Sequence, residues 1–300
     1  MTRILSYNIL VGGTRRVDQL TTVIRSADPD VVGLAEATDP RVVEELASRL
    51  GMQFRLSGYG KGARDWHLAV LSRLPILHTH VHTRPAFDRK YLLEVQVEEA
   101  SGSPLTVFVI HQRSEYQRGP QSNRIRRAEV QEMLNIMSSY QGQPHLVMGD
   151  FNSLAPGDSL QASRLLRSAV RKRPTGQRSG KKTRSWKKFS RRLIRQAVSV
   201  VVNNSVGSSI VDKVAPMYAR GGIDLLLQAG YVDCFRKASP DALGFTCPAI
   251  VPSGRIDFIF ASPELATRLS TSAVISSVPG IQAHEASDHL AVCADFKPTL

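Results

Sequence analysis

Polar residues that can bind a cation or move a proton stand at the ends of several apolar stretches of this sequence. A packed core has no use for acids, amides and histidines at such positions. They are Asn8 in Ser6–Asn8, Glu36 in Leu34–Glu36, His111 in Val109–His111, Asp150 and Asn152 in Gly149–Asn152, Asp257 in Arg255–Phe260, and Asp288 and His289 in Ser287–Leu290. Hydrolysis of a phosphoester needs a hard cation, a base for the attacking water and donors for the phosphoryl oxygens. These residue types could supply all three.

Each of these residues has an ordinary structural explanation when it is taken alone. Asn8 could cap a turn, and Gly149–Asn152 could form a tight turn with an Asx hydrogen bond. Asp257 could pair with Arg255, and His111 could be a hydrogen-bonded core histidine. It is their joint occurrence, in order and at strand ends, that indicates a site.

Bringing these residues together requires strands that end beside one another. Apolar patterning predicts strands at 3–10, 31–35, 67–73, 90–97, 104–111, 145–149, 255–261, 272–278 and 290–296. It predicts helices at 17–27, 39–50, 121–140 and 223–229. Asp28–Asp30 should stop the first helix, and Asp39–Pro40 should start the second.

The order of these elements favours one α+β domain over residues 1–300. Two runs of often antiparallel strands, interrupted after Asp150, fit two packed sheets with helices on their outer faces. A chain of 300 residues that is 42% hydrophobic can bury such a core. The three cysteines lack CxxC spacing, and neither a leader nor a membrane-spanning run is evident. We therefore expect a cytoplasmic monomer.

The positive charge of the chain is concentrated in one segment. The net charge is +13, but residues 160–220 hold 16 of the 39 Lys and Arg residues and only one of the 26 acids. The other residues carry 23 bases and 25 acids, so the body of the protein is close to neutral. A basic insertion at about 165–220 thus accounts for the charge.

The part of this insertion at 171–195 could contact an anionic partner. Residues 171–182 have no hydrophobic periodicity, whereas Trp186, Phe189 and Leu193 recur at helical spacing among basic residues. Three interpretations stay open: an arm that binds nucleic acid, a helix that docks on an anionic membrane surface, and a helix packed on its own domain.

Taken together, the motifs resemble those of the endonuclease/exonuclease/phosphatase superfamily, which includes exonuclease III, deoxyribonuclease I and neutral sphingomyelinase. Leu68–Ile76 is similar to the family's "LAILSRyPI" strand, and Gly244–Pro248 to its "gfTfP" turn. The resemblance covers nearly the whole chain outside about 165–220. It implies a deoxyribonuclease I-like fold, a four-layer α/β/β/α sandwich of two mostly antiparallel sheets flanked by helices.

The resemblance also implies roles for the acids and amides. Glu36 would supply a carboxylate for Mg²⁺ or Mn²⁺, with Asn8 and Asp288 as nearby oxygen donors. Asp150 resembles the family's water-activating aspartate. Asn152 would hold the scissile phosphate or the nucleophile.

For the histidines, the resemblance implies two that flank one phosphate. His289 would bind a phosphoryl oxygen as imidazolium, and Asp257 would orient its ring. His111 resembles the second histidine of the deoxyribonuclease I and sphingomyelinase branches. The family usually has leucine after this histidine, whereas here Gln112 and Arg113 follow His111. Arg113 is a candidate phosphate contact or a solvated loop cation.

Two features depart from the pattern or lie outside it. Leu10 stands where abasic endonucleases carry an acid, which argues against abasic-site repair. His78, His80 and His82 alternate along one face of a strand after Pro75. An HxHxH pattern can bind metal, but a solvated strand face is the preferred interpretation.

The leading hypothesis is Mg²⁺-dependent hydrolysis of a phosphodiester, with nucleic acid as substrate. A lipid or small-molecule phosphoesterase is the first alternative, because a nuclease normally has a broad basic surface and this body is near neutral. A non-catalytic protein that binds nucleic acid or membranes on the same fold is the second.

Overall fold

The computed structural model describes residues 1–58, 67–87, 91–114, 120–165, 208–209, 212 and 220–299. Most of the insertion predicted at 165–220, including all of 171–195, therefore lies outside the described residues. No helix of the described part is long and apolar enough to cross a membrane.

Twelve strands form the framework of the described part. In chain order they are β1 (Thr2–Asn8), β2 (Val31–Ala35), β3 (Gln53–Leu56), β4 (Ala69–Ser72), β5 (Ile76–His82), β6 (Leu92–Glu98), β7 (Pro104–His111), β8 (His145–Asp150), β9 (Val232–Asp233), β10 (Asp257–Ala261), β11 (Leu269–Ile275) and β12 (Ala291–Phe296). The helices are α1 (Val17–Ala27), α2 (Pro40–Leu50), α3 (Pro120–Met137), α4 (Ile223–Gln228), α5 (Cys234–Ala238), α6 (Pro263–Ala266) and α7 (Ala283–Ala286).

The strands form two six-stranded sheets. The first has the order β11-β12-β1-β2-β4-β3, and the second β5-β6-β7-β8-β10-β9. Only the pairs β1/β2 and β7/β8 run parallel; every other pair within the two sheets is antiparallel. The expectation of two mostly antiparallel sheets is confirmed.

Three apolar clusters separate four layers, as the predicted α/β/β/α sandwich requires. Between the sheets, side chains such as Ile4, Val70 and Val109 are fully buried. Alternate residues of the first sheet, such as Leu5, pack against α1 and α2. Alternate residues of the second, such as Phe108, pack against α3 and α4. Because successive side chains of a strand point to opposite faces, each sheet contributes to one core between the sheets and to another beneath its helices.

The ends of the first two helices follow from local sequence. Asp39 caps α2, its carboxylate accepting a hydrogen bond from the Arg41 N–H at 3.2 Å, and Pro40 occupies the first turn. Gly51 ends α2 and Asp28 ends α1, both in the left-handed conformation. Both helices lie where they are predicted.

Differences from the predicted elements occur mainly at edges and in short pieces. The edge strands β3 and β9 are not among the predicted strands, and β5 is indicated only by the alternating histidines after Pro75, because edge strands carry polar residues and lose the apolar pattern. The edge strand β11 begins three residues earlier than predicted for the same reason. Helices α5, α6 and α7 are too short to show a periodicity. The first strand ends at Asn8, two residues early, because the backbone from Leu10 onward turns with positive φ.

One glycine beside the site is required by the packing of two backbones. Gly149 in β8 has φ 144°, and a Cβ there would lie 1.9 Å from the carbonyl oxygen of Ile110 in β7. We expect Gly149→Ala to lower the free energy of unfolding by about 3 kcal/mol, from backbone strain and overpacking together. Urea denaturation measures this.

Gly102→Ala is the matched control. Gly102 also has a positive φ, 79°, but a Cβ at this position would meet nothing within 4 Å. Its cost should be only about 1 kcal/mol, from the backbone conformation. Equal losses in the two variants would show that the contact with Ile110 does not matter.

Candidate active site

Parallel pairing brings the predicted residues to one edge of the sandwich. Asn8 ends β1 and pairs with Ala35, so Glu36 follows at the same edge. In the second sheet His111 and Asp150 end the parallel strands β7 and β8 and are register partners. Asp257 begins the antiparallel strand β10 directly opposite Asp150. The carboxyl ends of both parallel pairs therefore meet.

Asn8 joins the two sheets through its side-chain amide. Its Nδ2 donates to Oε1 of Glu36 and to Oδ2 of Asp150, both at 3.1 Å. Its Oδ1 accepts the N–H of Leu10 at 3.0 Å. All three polar side chains are buried. The amide thus holds two carboxylates close together away from bulk water.

Glu36 is fixed by an unusual stretch of backbone. It has φ 60°, and its Oε2 accepts the N–H of Val11 at 2.7 Å. Leu10, Val11, Gly12 and Gly13 all have positive φ, so the chain curls back over Glu36. A branched residue such as Val11 rarely takes this conformation, and such strain is commonly kept at functional sites.

Asp150 lies at the centre of the polar cluster. Its Oδ1 accepts the backbone N–H of Asn152 at 2.8 Å. Its Oδ2 faces Nε2 of His111 at 3.5 Å and Nε2 of His289 at 3.8 Å, besides the amide of Asn8. Two imidazoles thus flank one buried carboxylate.

His289 is held against Asp257. Nδ1 of His289 lies 2.9 Å and 3.1 Å from the two oxygens of Asp257. Burial of the ring opposes protonation, but the carboxylates of Asp257 and Asp150 outweigh it and raise the pKa of His289 well above its usual value. The two carboxylates thus favour the protonated ring, with Nδ1 against Asp257 and Nε2 facing Asp150.

Three neighbouring contacts support this pair, and the sequence did not single out the residues that make them. The Ser287 hydroxyl donates to the carbonyl of Asn8 at 2.7 Å and accepts the N–H of His289 at 3.2 Å. The Thr246 hydroxyl accepts the N–H of Asp257 at 3.3 Å. Thr246 belongs to the "gfTfP"-like turn, which is the signal that could have identified it. Ser287 immediately precedes the Asp288–His289 motif.

Asn152 does more than close a turn, and Asp257 does not form the ion pair with Arg255 that its ordinary structural explanation requires. Asn152 has φ 46°, and its Nδ2 donates to the carbonyl of Gln112 at 2.9 Å, which ties it to the residue after His111. Arg255 does not pair with Asp257: its guanidinium contacts Asp158 and Asp233 at 2.6–2.9 Å. The Asp257 carboxylate faces His289 instead.

Two predicted residues stand apart from the buried cluster. The side chain of Asp288 is exposed, although it is adjacent to His289. Arg113 lies beside α3, with its Nε 3.9 Å from Oε1 of the buried Glu129. The structure therefore brings seven of the nine predicted residues together and leaves these two at the periphery.

The buried carboxylates of this cluster are chemically suited to a metal ion. One ligand atom from each of Asp150, Asp257 and His289 lies within 4.8 Å of the others, and all three residues are buried. Glu36 adds a further carboxylate through Asn8. Several carboxylates crowded in a buried cluster repel one another, and hard divalent cations are bound by such oxygen ligands. The donor set fits a divalent cation.

A distant arginine clamps the two loops that carry this cluster. Arg16 donates to the carbonyls of Ile9 at 3.1 Å, Leu10, and Ala286 at 2.5 Å, and so links the loop after Asn8 to α7 just before Ser287. No local pattern marks Arg16, since its partners come from opposite ends of the chain.

We expect Arg16→Ala to destabilise the protein by about 2 kcal/mol, because hydrogen bonds from a charged group to three carbonyls are lost. Any hydrolytic activity should fall at least about tenfold, as the site loops lose their common anchor. Thermal melting and initial rates measure the two effects. Arg16→Lys should recover only part of each, because an ammonium lacks the guanidinium fork; full recovery would mean that charge alone suffices.

Comparison with known proteins gives the same fold. An AP endonuclease from Archaeoglobus fulgidus is similar over 99% of this chain and 100% of its own, with 17% identity and a TM-score of 0.63. The 3'-5' exonuclease NExo from Neisseria meningitidis covers 98% and 99%, with 17% identity and a TM-score of 0.62. A humanized TDP2 from D. rerio covers 99% of both chains, with 17% identity and a TM-score of 0.61.

At this level of identity the structural likenesses establish a deoxyribonuclease I-like fold. No curated protein matches the sequence at a significant level. The sequence profile of the endonuclease/exonuclease/phosphatase family, however, matches residues 5–289, from the first strand to the histidine beside Asp257. The chain therefore belongs to the endonuclease/exonuclease/phosphatase family.

Proposed function

We propose that this protein is a metal-dependent phosphodiesterase that cleaves its substrate by in-line attack of a water activated by Asp150. The observation that carries the proposal is the environment of the Asp150 carboxylate. It is buried, oriented by Asn152 on one oxygen, and faced on the other by Asn8 and two histidines. A carboxylate placed in this way can accept a proton from a water that it holds.

His289 and His111 complete the proposed machinery. The imidazolium of His289 would donate its Nε2–H to a phosphoryl oxygen, while Asp257 keeps the ring charged and oriented. His111, on the other side of Asp150, would contact the same phosphate. Asn152 would hold the phosphate or the nucleophile from the turn after β8. Charge on the phosphoryl group would thus meet donors that are already in place.

For the cation we propose Mg²⁺ or Mn²⁺ held by Glu36, with Asn8 and Asp288 as further oxygen donors. When bound, it would neutralise negative charge that develops on the phosphate. The amide nitrogen of Asn8 positions Glu36 and Asp150, while its side-chain oxygen accepts the Leu10 N–H. To bind the cation as well, Asn8 would share that oxygen between the cation and the Leu10 N–H. Asp288, being exposed, is free to approach through its side-chain rotamers or through water.

Nucleic acid is the substrate that we propose. The structurally similar proteins include an AP endonuclease and NExo, which is described as a 3'-5' exonuclease and, in a second structure, as a 3' phosphatase bound to a product DNA hairpin. The basic residues at 160–220 follow the Asp150–Asn152 turn in sequence and could contact phosphates. Arg113, two residues after His111, is a further candidate for this contact.

Both sheets contribute to one site, which supports a single domain over 1–300.

One observation favours a lipid phosphodiester as the alternative. Val11, 53% exposed, stands on the loop over Glu36, and Ile250, 52% exposed, follows Ala249, whose N–H donates to the carbonyl of Asp288. An exposed apolar side chain beside each of these site residues suits a substrate with an apolar portion.

A panel of phosphodiesters tests the proposal. Purified protein with Mg²⁺ is incubated with single- and double-stranded DNA, RNA, sphingomyelin, inositol phosphates and bis-p-nitrophenyl phosphate. We expect turnover of bis-p-nitrophenyl phosphate and of nucleic acid, both abolished by a chelator. Preference for sphingomyelin would favour the lipid alternative. If the folded protein turns over none of them, the enzymatic function is wrong, and binding of nucleic acid or vesicles becomes the remaining function to measure.

A further inference from the structure

A second cluster of metal-binding side chains lies on the outer face of the second sheet, away from the site described above. His80 and His82 are on the edge strand β5 and point to the same face, because they are two residues apart. Glu94 on the neighbouring strand β6 is the register partner of His80, so it shares that face. The strand β5 lies three strands away from β8, which carries Asp150.

The contacts in this cluster are close and polar. Nε2 of His82 lies 2.8 Å from Oε2 of Glu94, and the rings of His80 and His82 meet edge to face with centroids 4.4 Å apart. The other oxygen of Glu94 accepts the hydroxyl of Tyr140 at 2.5 Å. The Glu94 side chain is only 6% exposed, so these partners account for both oxygens of a carboxylate that the solvent scarcely reaches.

We propose that His80, His82 and Glu94 bind a transition-metal ion of the zinc class. Two imidazoles and one carboxylate are a donor set that suits Zn²⁺, Co²⁺ or Ni²⁺ and gives three protein ligands with one position left for water. His78, two residues before His80 on the same strand, is available as a further imidazole. The Tyr140 hydroxyl, hydrogen-bonded to the second oxygen of Glu94, orients the carboxylate as outer partners of metal ligands do.

The distances are compatible with this occupant. Tetrahedral ligands at zinc bond lengths of about 2.0–2.1 Å lie roughly 3.3 Å apart, only slightly farther than His82 Nε2 and Glu94 Oε2 are now. The three ligand atoms do not yet lie within 4.8 Å of one another. The ring of His80 must therefore turn toward Glu94, which changes its edge-to-face contact with His82 and is open to it because His80 is exposed.

The test measures metal binding by the full-length protein without an affinity tag. Protein freed of metals with a chelator is saturated with Mg²⁺ to occupy the carboxylate-rich site, and Zn²⁺ is then titrated by calorimetry, with Co²⁺ absorption as a second readout. We expect one Zn²⁺ per chain and a Co²⁺ spectrum typical of four-coordinate nitrogen and oxygen ligands. His80→Ala should weaken Zn²⁺ binding at least tenfold, and His82→Ala and Glu94→Gln should weaken it further.

Two controls separate this site from the others. His284→Ala removes an imidazole outside both clusters and should leave the affinity unchanged, and Asp150→Asn should also retain the Zn²⁺ site. His80 is exposed, so its variant reports on binding even if substitution of the buried Glu94 impairs folding. Absence of a Zn²⁺ site in the presence of Mg²⁺, wild-type affinity in His80→Ala, or loss of the site in Asp150→Asn would each overturn the proposal. None of these readouts depends on hydrolysis, so this inference and the proposed function can fail separately.

Discussion

Asp150→Asn should lower kcat for bis-p-nitrophenyl phosphate by about 10³-fold or more while the protein stays folded. General-base catalysis contributes about 10²–10⁴-fold, and the amide cannot accept the proton of the attacking water. The variant keeps the shape of the side chain, but its NH2 replaces one of the two acceptor oxygens, so either the Asn152 N–H or the Asn8 amide loses its partner. Initial rates at saturating substrate, with circular dichroism for the fold, measure the effect.

The stability of the same variant should change little. Removing the charge of Asp150 relieves repulsion from Glu36 and Asp257 but also removes its attraction to the His289 ring and one acceptor oxygen. We expect a melting temperature close to that of the wild type in metal-free buffer. Asp241→Asn, which changes an exposed aspartate, is the matched control and should alter neither rate nor stability. Full activity in Asp150→Asn would show that the base has been assigned to the wrong residue.

His289→Ala should reduce kcat by about 10³-fold, because removing one preorganised donor costs this much. Asp257→Asn should reduce it by about 10²-fold, because the ring stays but loses the carboxylate that orients it and favours its protonated form. The two residues act on the phosphate through one ring, since Asp257 contacts His289 at 2.9 Å and orients it. The double variant should therefore be no slower than His289→Ala. A double-mutant cycle with kcat and KM measured separately tests this coupling.

Additive losses would contradict this division of roles, since they would mean that Asp257 contributes independently of the histidine. Asp257→Glu is a useful companion, because it keeps the charge but displaces it by one methylene. It should retain more activity than Asp257→Asn if charge on the ring matters most, and less if the position of the ring matters most. Either result keeps Asp257 as a positioning residue; activity equal to wild type in both variants would remove it.

Much of the architecture could be predicted because it is encoded locally. Alternation of apolar residues marks the central strands, and Asp39–Pro40 with Gly51 marks the ends of α2. Apolar patterning missed edge strands such as β5, where three histidines interrupt the apolar pattern. An edge strand has a neighbour on one side only and carries polar residues toward solvent, so it lacks the apolar run that marks a central strand.

For the site, the order of residues along the chain was enough to show which chemical groups stand at the strand ends: the carboxylates, amides and histidines from Asn8 to His289. Their joint order was also enough to indicate phosphoester chemistry. How those groups are used depends on folding. The fold placed the Asn8 amide between carboxylates of different sheets, turned Asp257 toward His289 instead of Arg255, and drew Arg113 toward Glu129.

The same distinction explains Arg16 and the pair of His82 and Glu94. No pattern marks Arg16, and the HxHxH pattern that contains His82 does not reveal its partner Glu94, because these partners are set by which strands and loops become neighbours in the fold. A side chain's type is fixed by the sequence, but its hydrogen-bond partner, its burial and hence its charge state depend on groups that folding brings within about 3 Å. The chemical groups that the site could use were therefore visible in the sequence, whereas the partner of each group was decided only by the fold.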